Sequence, residues 1–211
     1  MLCATDPLGS LGPMHLIFLP GASGAAAFWH PLGALLPATW SKSYLAWPGL
    51  GSEPHDPQIN GFDDLVALTE KEIRGPTVLV AQSMGGIVAV RLALRHPELI
   101  THLILVATSG GVDVSALGGI DWRTGYLENF PDSQTWIVTD KPDHCADIAR
   151  IACPVLLIWG DDDPISPPAV GARLAGLLLN STLRIIPGGT HDLARDRAAD
   201  VAAYVIAHLE G

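Results

Sequence analysis

Ser83 lies where a strand-like run of residues changes into a helix-like run. Apolar residues 78–81 precede it, and Gly85 and Gly86 lead into an apolar stretch with helical spacing. A serine at such a turn projects its hydroxyl from the end of a strand, beside the free N–H groups of the following helix. The turn requires small neighbours, and Ala81 and Gly85 meet that requirement. The pattern predicts that Ser83 is a nucleophile; the alternative is a serine that only caps the helix.

Two later loops carry groups that could activate such a serine. Residues 161–163 are three consecutive aspartates after an apolar run, and His191 follows two glycines after another. An imidazole can take the serine proton, and a carboxylate can accept a hydrogen bond from the ring and fix its tautomer. Three like charges repel when they face the same way, so we expect at least one aspartate to face solvent. The register of a calcium-binding loop is absent.

Short apolar runs alternate with helical patterns along the chain. This alternation predicts an α/β fold with a mostly parallel, roughly six-stranded sheet and helices on both faces. In such a sheet, loops that follow the strands gather at one edge. The predicted strands are 15–19, 43–47, 77–81, 102–107, 155–159 and 182–186, and the predicted helices are 25–36, 62–74, 84–96, 168–179 and 198–209.

The stretch 110–151 interrupts this alternation. It is irregular, contains Gly118, Gly119, Pro131 and Pro142, and carries four aromatic residues. Long irregular segments between strands are often functional. We predict a small lid over the site; the alternative is a plain connection whose aromatic residues patch the core.

Together these features resemble the α/β-hydrolase superfamily, in its serine ester-hydrolase branch with a short lid. The likeness extends from His15 to the end of the chain, as one domain over 15–211. Its motifs are the Ser83 turn and the loops 19–24, 47–52, 159–167 and 185–193, and the chain order Ser83, Asp163, His191 is the superfamily's. Three positions depart from the usual pattern: Ala81 replaces a glycine, Pro20 a histidine and Ala46 an aspartate.

The resemblance implies a role for each loop. Ser83 would be the nucleophile, His191 the general base and then acid, and Asp163 the triad acid. The backbone N–H groups of Ala22 and Met84 would form the oxyanion hole. Asp113 is an alternative acid, because some relatives place this residue after the strand that here ends near Ala107. The chemistry requires no metal and no organic cofactor.

The implied activity is cleavage of a small carboxylic ester, or a related acyl bond, through an acyl-enzyme. The same site would serve a thioesterase, lactonase, C–C hydrolase, perhydrolase or acyltransferase, and a small-molecule-binding protein is the alternative from another class. The short lid favours a small acyl substrate. We predict an apolar substrate pocket lined by Phe28, Trp29, Trp47, Trp122, Tyr126 and Trp136.

Composition narrows the partners. The 211 residues carry a formal net charge of −10, which disfavours nucleic acid and anionic membranes and leaves a small ester-like molecule as the expected partner. Cys3, Cys145 and Cys153 lack metal-site spacing, and their odd number suggests free thiols. The chain has no apolar run long enough to span a membrane and no Lys or Arg before Lys42, so we expect a cytoplasmic protein. We predict that residues 1–14 form a flexible leader. Nothing in the sequence predicts an oligomeric state.

Overall fold

A six-stranded sheet forms the centre of the computed structural model, which describes residues 14–211. The strand order is β2-β1-β3-β4-β5-β6, and every neighbouring pair is parallel, as the alternating pattern predicts. The strands are β1 (His15–Leu19), β2 (Ser41–Tyr44), β3 (Thr77–Gln82), β4 (Ile100–Val106), β5 (Val155–Gly160) and β6 (Ser181–Ile186). The predicted leader lies outside the described residues up to position 13.

Alternation along the strands divides the core between the two faces of the sheet. In β3, Leu79 and Ala81 belong to one apolar cluster, while Val78 and Val80 belong to the other. All six residues of β3 are buried, because both faces are covered by helices and neither needs to be polar. At the β2 edge, by contrast, the strand is polar and none of its residues is fully buried.

Eight α-helices occur within the described residues, five of them at predicted positions. One face of the sheet is covered by α2, α3 and α6, and the other by α1, α7 and α8. The helices are α1 (His30–Leu35), α2 (Phe62–Glu70), α3 (Gly85–Arg95), α4 (Arg123–Asn129), α5 (Trp136–Thr139), α6 (Pro168–Leu177), α7 (Leu193–Asp196) and α8 (Ala198–Glu210). No helix among residues 14–211 is long and apolar enough to cross a membrane.

Two predicted elements differ from the observed ones for identifiable reasons. The apolar residues 45–47 suggested a strand at 43–47, but pairing with β1 begins at Ser41 and the backbone has left the ladder by Trp47. The predicted helix 25–36 is a 3₁₀ turn, Ala26–Trp29, followed by α1. Pro31 has no N–H to give to a continuous helical ladder, and it sits at the start of α1, where none is needed.

Residues 110–151, called the insertion below, connect β4 to β5. The insertion contains α4, α5 and two short 3₁₀ turns, Ser115–Leu117 and Ile148–Arg150. Its buried apolar side chains join the apolar cluster on the α3 side of the sheet, namely Val112, Tyr126, Trp136, Ile137, Ile148 and Ile151.

Candidate active site

Ser83 occupies a tight turn between β3 and α3, with a φ of +51° in the left-handed region. Few non-glycine residues adopt this conformation, and it is maintained only where the surroundings hold it. The Ser83 N–H donates to the carbonyl of Val106 at 3.1 Å, and the Thr108 hydroxyl donates to the Ser83 carbonyl. Gly85 has no room for a side chain, since a Cβ there would lie 2.5 Å from the Pro20 carbonyl oxygen. Ala81 is fully buried in β3, where its methyl group is accommodated.

His191 lies between Ser83 and Asp163. Its Nε2 is 2.9 Å from Ser83 Oγ, and its Nδ1 is 2.8 Å from Asp163 Oδ2. The Asp163 side chain is fully buried, and its other oxygen accepts the N–H groups of Ile165 and Ser166 at 2.8 and 2.9 Å. A carboxylate with these donors accepts the Nδ1 proton, which leaves Nε2 free to accept the serine proton. The arrangement can therefore activate a hydroxyl as a nucleophile.

The three consecutive aspartates have different surroundings. Asp161 and Asp162 are exposed, as charge repulsion within the run predicts for at least one of them. The Asp161 carboxylate accepts the Gly188 N–H at 2.6 Å and so joins the acid loop to the histidine loop. The two loops approach closely, because a Cβ on Gly160 would lie 1.9 Å from the Gly189 carbonyl oxygen. Of the three aspartates, only Asp163 hydrogen-bonds to the ring of His191 in the structure.

Asp113, the alternative acid, has another set of contacts. Its Oδ1 accepts the N–H groups of Ser115 and Ala116 at 3.0 and 3.3 Å. The side chain is therefore used to start a 3₁₀ turn of the insertion. Asp192, next to His191, turns away from it and pairs with Arg195 at 2.9 Å.

The loop after β1 borders Ser83 on the side away from the insertion's charged residues. Gly21, Ala22 and Ser23 line a cavity of about 160 Å³ together with Ser83 and His191. Within the described residues, neither the Ala22 N–H nor the Met84 N–H has a hydrogen-bond acceptor. Met84 precedes α3, whose positive dipole end faces this region. Two open donors beside a serine can bind a developing oxyanion.

A larger cavity of about 460 Å³ opens on the other side of Ser83 and His191. Its apolar lining includes Met84, Ile87 and Val112. The insertion contributes Val112 and also the charged side chains of the lining, namely Asp113, Asp121, Arg123, Lys141 and Asp143. The cavity thus combines apolar side chains with charged ones from the insertion.

Only half of the aromatic residues predicted to line the pocket do so. Phe28, Trp122 and Tyr126 line the cavities beside Ser83. Trp29, Trp47 and Trp136 line neither cavity, and we correct the prediction for these three. Trp29 packs on Phe18, on the face of the sheet that α1, α7 and α8 cover. Trp136 packs edge-on against Phe62 in the core of the other face. The buried indole of Trp47 donates a hydrogen bond to the Pro20 carbonyl.

Three polar residues that the sequence interpretation did not assign support the site. Gln82 donates from Nε2 to the His191 carbonyl at 3.2 Å. Thr108, two residues after the end of β4, holds Ser83, and Ser166 connects Trp159 Nε1 to the acid loop. Gln82 is the last residue of β3, so all three residues lie at or just beyond the carboxyl end of a strand or in the acid loop, and this position was the available signal.

Comparison with known proteins supplies the family. Residues 16–144, more than half of the chain, match the alpha/beta hydrolase family. The chain is a member of the alpha/beta hydrolase family. It is an enzyme of this fold, and its curated relatives include proteins named as esterases and hydrolases. A pimeloyl-[acyl-carrier protein] methyl ester esterase of Neisseria meningitidis serogroup A is 29% identical, over 83% of this hydrolase and 70% of the relative.

Further relatives support the same assignment. A putative non-heme bromoperoxidase, BpoC, of Mycobacterium tuberculosis H37Rv is 27% identical over 89% of this hydrolase and 90% of the relative. The crystal structure of BpoC superimposes with a TM-score of 0.74 at 21% identity, covering 93% of this chain and 92% of that one. A thermophilic esterase from Thermogutta terrifontis gives the same TM-score at 18% identity, covering 93% and 89%. These structural likenesses establish the fold.

Proposed function

We propose that this hydrolase cleaves a small carboxylic ester through an acyl-enzyme on Ser83. The observation that carries the proposal is the relay in which His191 lies 2.9 Å from Ser83 Oγ and 2.8 Å from Asp163. The relatives named as esterases support an ester as the bond cleaved.

In the first half of the reaction, Ser83 Oγ attacks the acyl carbon while His191 Nε2 takes its proton. The negative charge that forms on the acyl oxygen is bound by the N–H groups of Ala22 and Met84. The buried Asp163 carboxylate stabilises the resulting imidazolium and keeps the ring oriented. When the tetrahedral intermediate collapses, the alcohol leaves with the proton that His191 returns.

In the second half, water replaces the alcohol. His191 takes a proton from this water, which attacks the acyl carbon of the Ser83 ester and forms a second oxyanion in the same place. Collapse of this intermediate releases the carboxylic acid, and His191 returns the proton to Ser83 Oγ. Every proton transfer uses the same imidazole nitrogen.

The dimensions of the site favour a small substrate. The cavity of about 460 Å³ lies at the lower end of the range of about 300–1,000 Å³ for small-molecule sites. Its apolar side chains Met84, Ile87 and Val112 fit a short acyl group, while the charged side chains of the insertion disfavour a long hydrocarbon chain. The short insertion supports the same substrate size.

The proposal is tested with p-nitrophenyl acetate, butyrate, octanoate and palmitate. We expect turnover of the short esters, loss of turnover in Ser83→Ala and His191→Ala, and labelling of Ser83 alone by a fluorophosphonate. Ser109→Ala is the matched control, because Ser109 lines the same cavity while its hydroxyl accepts the Gly111 N–H at 3.3 Å and is not the hydroxyl bonded to His191. Equal inactivity of the wild type and both variants, together with no labelling of Ser83, would contradict the proposal. Matched thioesters and lactones separate the alternative acyl substrates.

A further inference from the structure

Two buried side chains hold the loop that carries Ala22, and they come from separate segments of the chain. The indole Nε1 of Trp47 donates to the Pro20 carbonyl at 2.7 Å, and the hydroxyl of Tyr126 donates to the Ala22 carbonyl at 2.6 Å. Trp47 is fully buried, and Tyr126 is 6% exposed. Tyr126 belongs to α4, so the insertion is joined directly to the loop after β1.

The Gly21 carbonyl, which lies between the Pro20 and Ala22 carbonyls in the chain, also accepts a hydrogen bond. The Gly21 carbonyl accepts the Gly24 N–H at 3.0 Å and closes a turn. In a trans peptide the C=O and N–H groups point in opposite directions. With the Gly21 carbonyl directed toward Gly24, the Ala22 N–H must point the other way. Three consecutive carbonyls are thereby fixed, while the Ala22 N–H has no acceptor among the described residues.

The Tyr126 hydroxyl has no proton left to donate to a substrate. Its oxygen accepts the Gly51 N–H at 2.8 Å, and its single proton goes to the Ala22 carbonyl. Ser133 Oγ lies 3.0 Å from the same oxygen and 3.1 Å from the Gly49 carbonyl, so it completes the surroundings of the hydroxyl. The hydroxyl is therefore suited to hold the backbone.

The loop after β1 packs closely against the backbone of the loop after β2. A Cβ on Gly24 would lie 2.7 Å from the Leu50 carbonyl oxygen, and one on Gly51 would lie 2.0 Å from the Ser23 carbonyl oxygen. The Trp47 N–H donates to the Gly24 carbonyl at 2.9 Å. The loop after β1, the loop after β2 and α4 thus each contact the other two.

We propose that Tyr126 and Trp47 are positioning residues that fix the Ala22 N–H as an oxyanion donor. This inference rests on the proposed function and adds that the insertion sets the turnover rate through one hydrogen bond. A donor fixed before the reaction stabilises charge at no cost in reorganisation. Loosening the loop therefore weakens binding of the transition state while leaving the acyl cavity intact.

Tyr126→Phe is the principal test, measured with p-nitrophenyl butyrate. Removal of a whole oxyanion donor costs about 100- to 1,000-fold in kcat, so we expect loosening to cost about 10- to 100-fold. KM should stay within about 2-fold, since the ground state does not use this donor. Tyr204→Phe on α8 is the matched control and should retain the wild-type kcat. An unchanged kcat in Tyr126→Phe, or a rise in KM alone, would overturn the proposal.

Trp47→Phe and backbone ¹⁵N relaxation provide two further tests of the anchoring. Trp47→Phe removes the other anchor and should also lower kcat, whereas Trp40→Phe, in the opposite core, should not. Backbone ¹⁵N relaxation of residues 21–24 in the ligand-free protein should show increased mobility in Tyr126→Phe and not in Tyr204→Phe; unchanged order would overturn the anchoring. If the wild type cleaves no ester and Ser83 is not labelled, the proposed function fails, and relaxation alone decides whether Tyr126 anchors the loop.

Discussion

The buried carboxylate of Asp163 holds His191 by the ring nitrogen opposite Ser83, at 2.8 Å and without solvent exposure of the carboxylate. Two backbone N–H groups bind its other oxygen, so the carboxylate cannot rotate away from the ring without losing both bonds. One side chain thus fixes the orientation, the tautomer and the charge balance of the imidazole.

Asp163→Asn tests this relationship. The amide retains the size of the carboxylate but presents the wrong charge and favours the wrong tautomer, so we expect kcat on a short ester to fall by about 10⁴-fold. Asp162→Asn is the control, because Asp162 is exposed and does not bond to His191. A similar fall in both variants, or none in Asp163→Asn, would show that another group orients the ring.

Thr108→Val removes the hydroxyl that holds Ser83 in its positive-φ conformation. The Gly110 N–H, which donates to the same oxygen at 3.0 Å, would lose its partner, so we expect the free energy of unfolding to fall by about 1–3 kcal/mol. Because Ser83 is the proposed nucleophile, its displacement by a fraction of an ångström should lower kcat by about 10- to 100-fold. Urea unfolding and ester kinetics measure the two effects.

Thr101→Val is the matched control for this variant. Thr101 also donates from its hydroxyl to a backbone carbonyl, that of Thr77 at 3.2 Å, but at the beginning of β4. We expect a loss of stability without a change in kcat. A fall in kcat in both variants would mean that Thr108 acts only through global stability.

The sequence predicted the framework of the site more completely than its surroundings. Short apolar runs predicted all six strands, although the second lies at Ser41–Tyr44 and not at 43–47. The loops after β3, β5 and β6 carry Ser83, Asp163 and His191 to one edge of the sheet. A short loop that follows a strand must begin at the edge of the sheet where that strand ends, and this constraint explains why the positions of the three residues could be predicted.

The sequence did not predict which aromatic side chains line the cavities beside Ser83. Trp122 and Trp136 both lie in the insertion, yet only Trp122 lines a cavity. Irregular segments have no periodicity to indicate which side chains face inward. The Trp47 hydrogen bond joins residues 27 positions apart, and the Tyr126 bond joins residues 104 apart, so no local pattern could indicate either.

Gly85→Ala and Gly176→Ala should change stability in opposite directions. A Cβ on Gly85 would lie 2.5 and 2.6 Å from the carbonyl oxygens of Pro20 and Leu19, which are backbone atoms with little freedom to move. We expect a loss of about 1–3 kcal/mol, with reduced activity because the loop after β1 is displaced. Gly176 is exposed in α6 with nothing within 4 Å of its Cβ position, and alanine there should add up to about 1 kcal/mol. The urea unfolding midpoints of the two variants measure these changes in stability. Equal shifts would contradict the prediction that a Cβ is crowded at Gly85 and free of contacts at Gly176.

Acid should destabilise the protein through histidines far from the site. The rings of His102 in β4 and His208 in α8 lie 5.6 Å apart, and burial lowers the pKa of each, with the His102 charge lowering that of His208 further. The unfolded chain binds protons at these positions with pKa values near 6.5, whereas the folded chain does so only at lower pH. The contribution of these uncharged histidines to the free energy of unfolding is therefore present above the unfolded pKa of about 6.5. It falls as the pH drops toward the folded pKa values, by up to about 1.4 kcal/mol per pH unit for each histidine.

The check is urea unfolding between pH 7.5 and 5. His102→Gln combined with His208→Gln should reduce the slope of stability against pH, and part of the slope should remain, because burial also lowers the pKa values of His15 and His144. His30→Gln, which replaces an exposed histidine, is the control. A slope that the double variant leaves unchanged would place the acid sensitivity elsewhere in the chain.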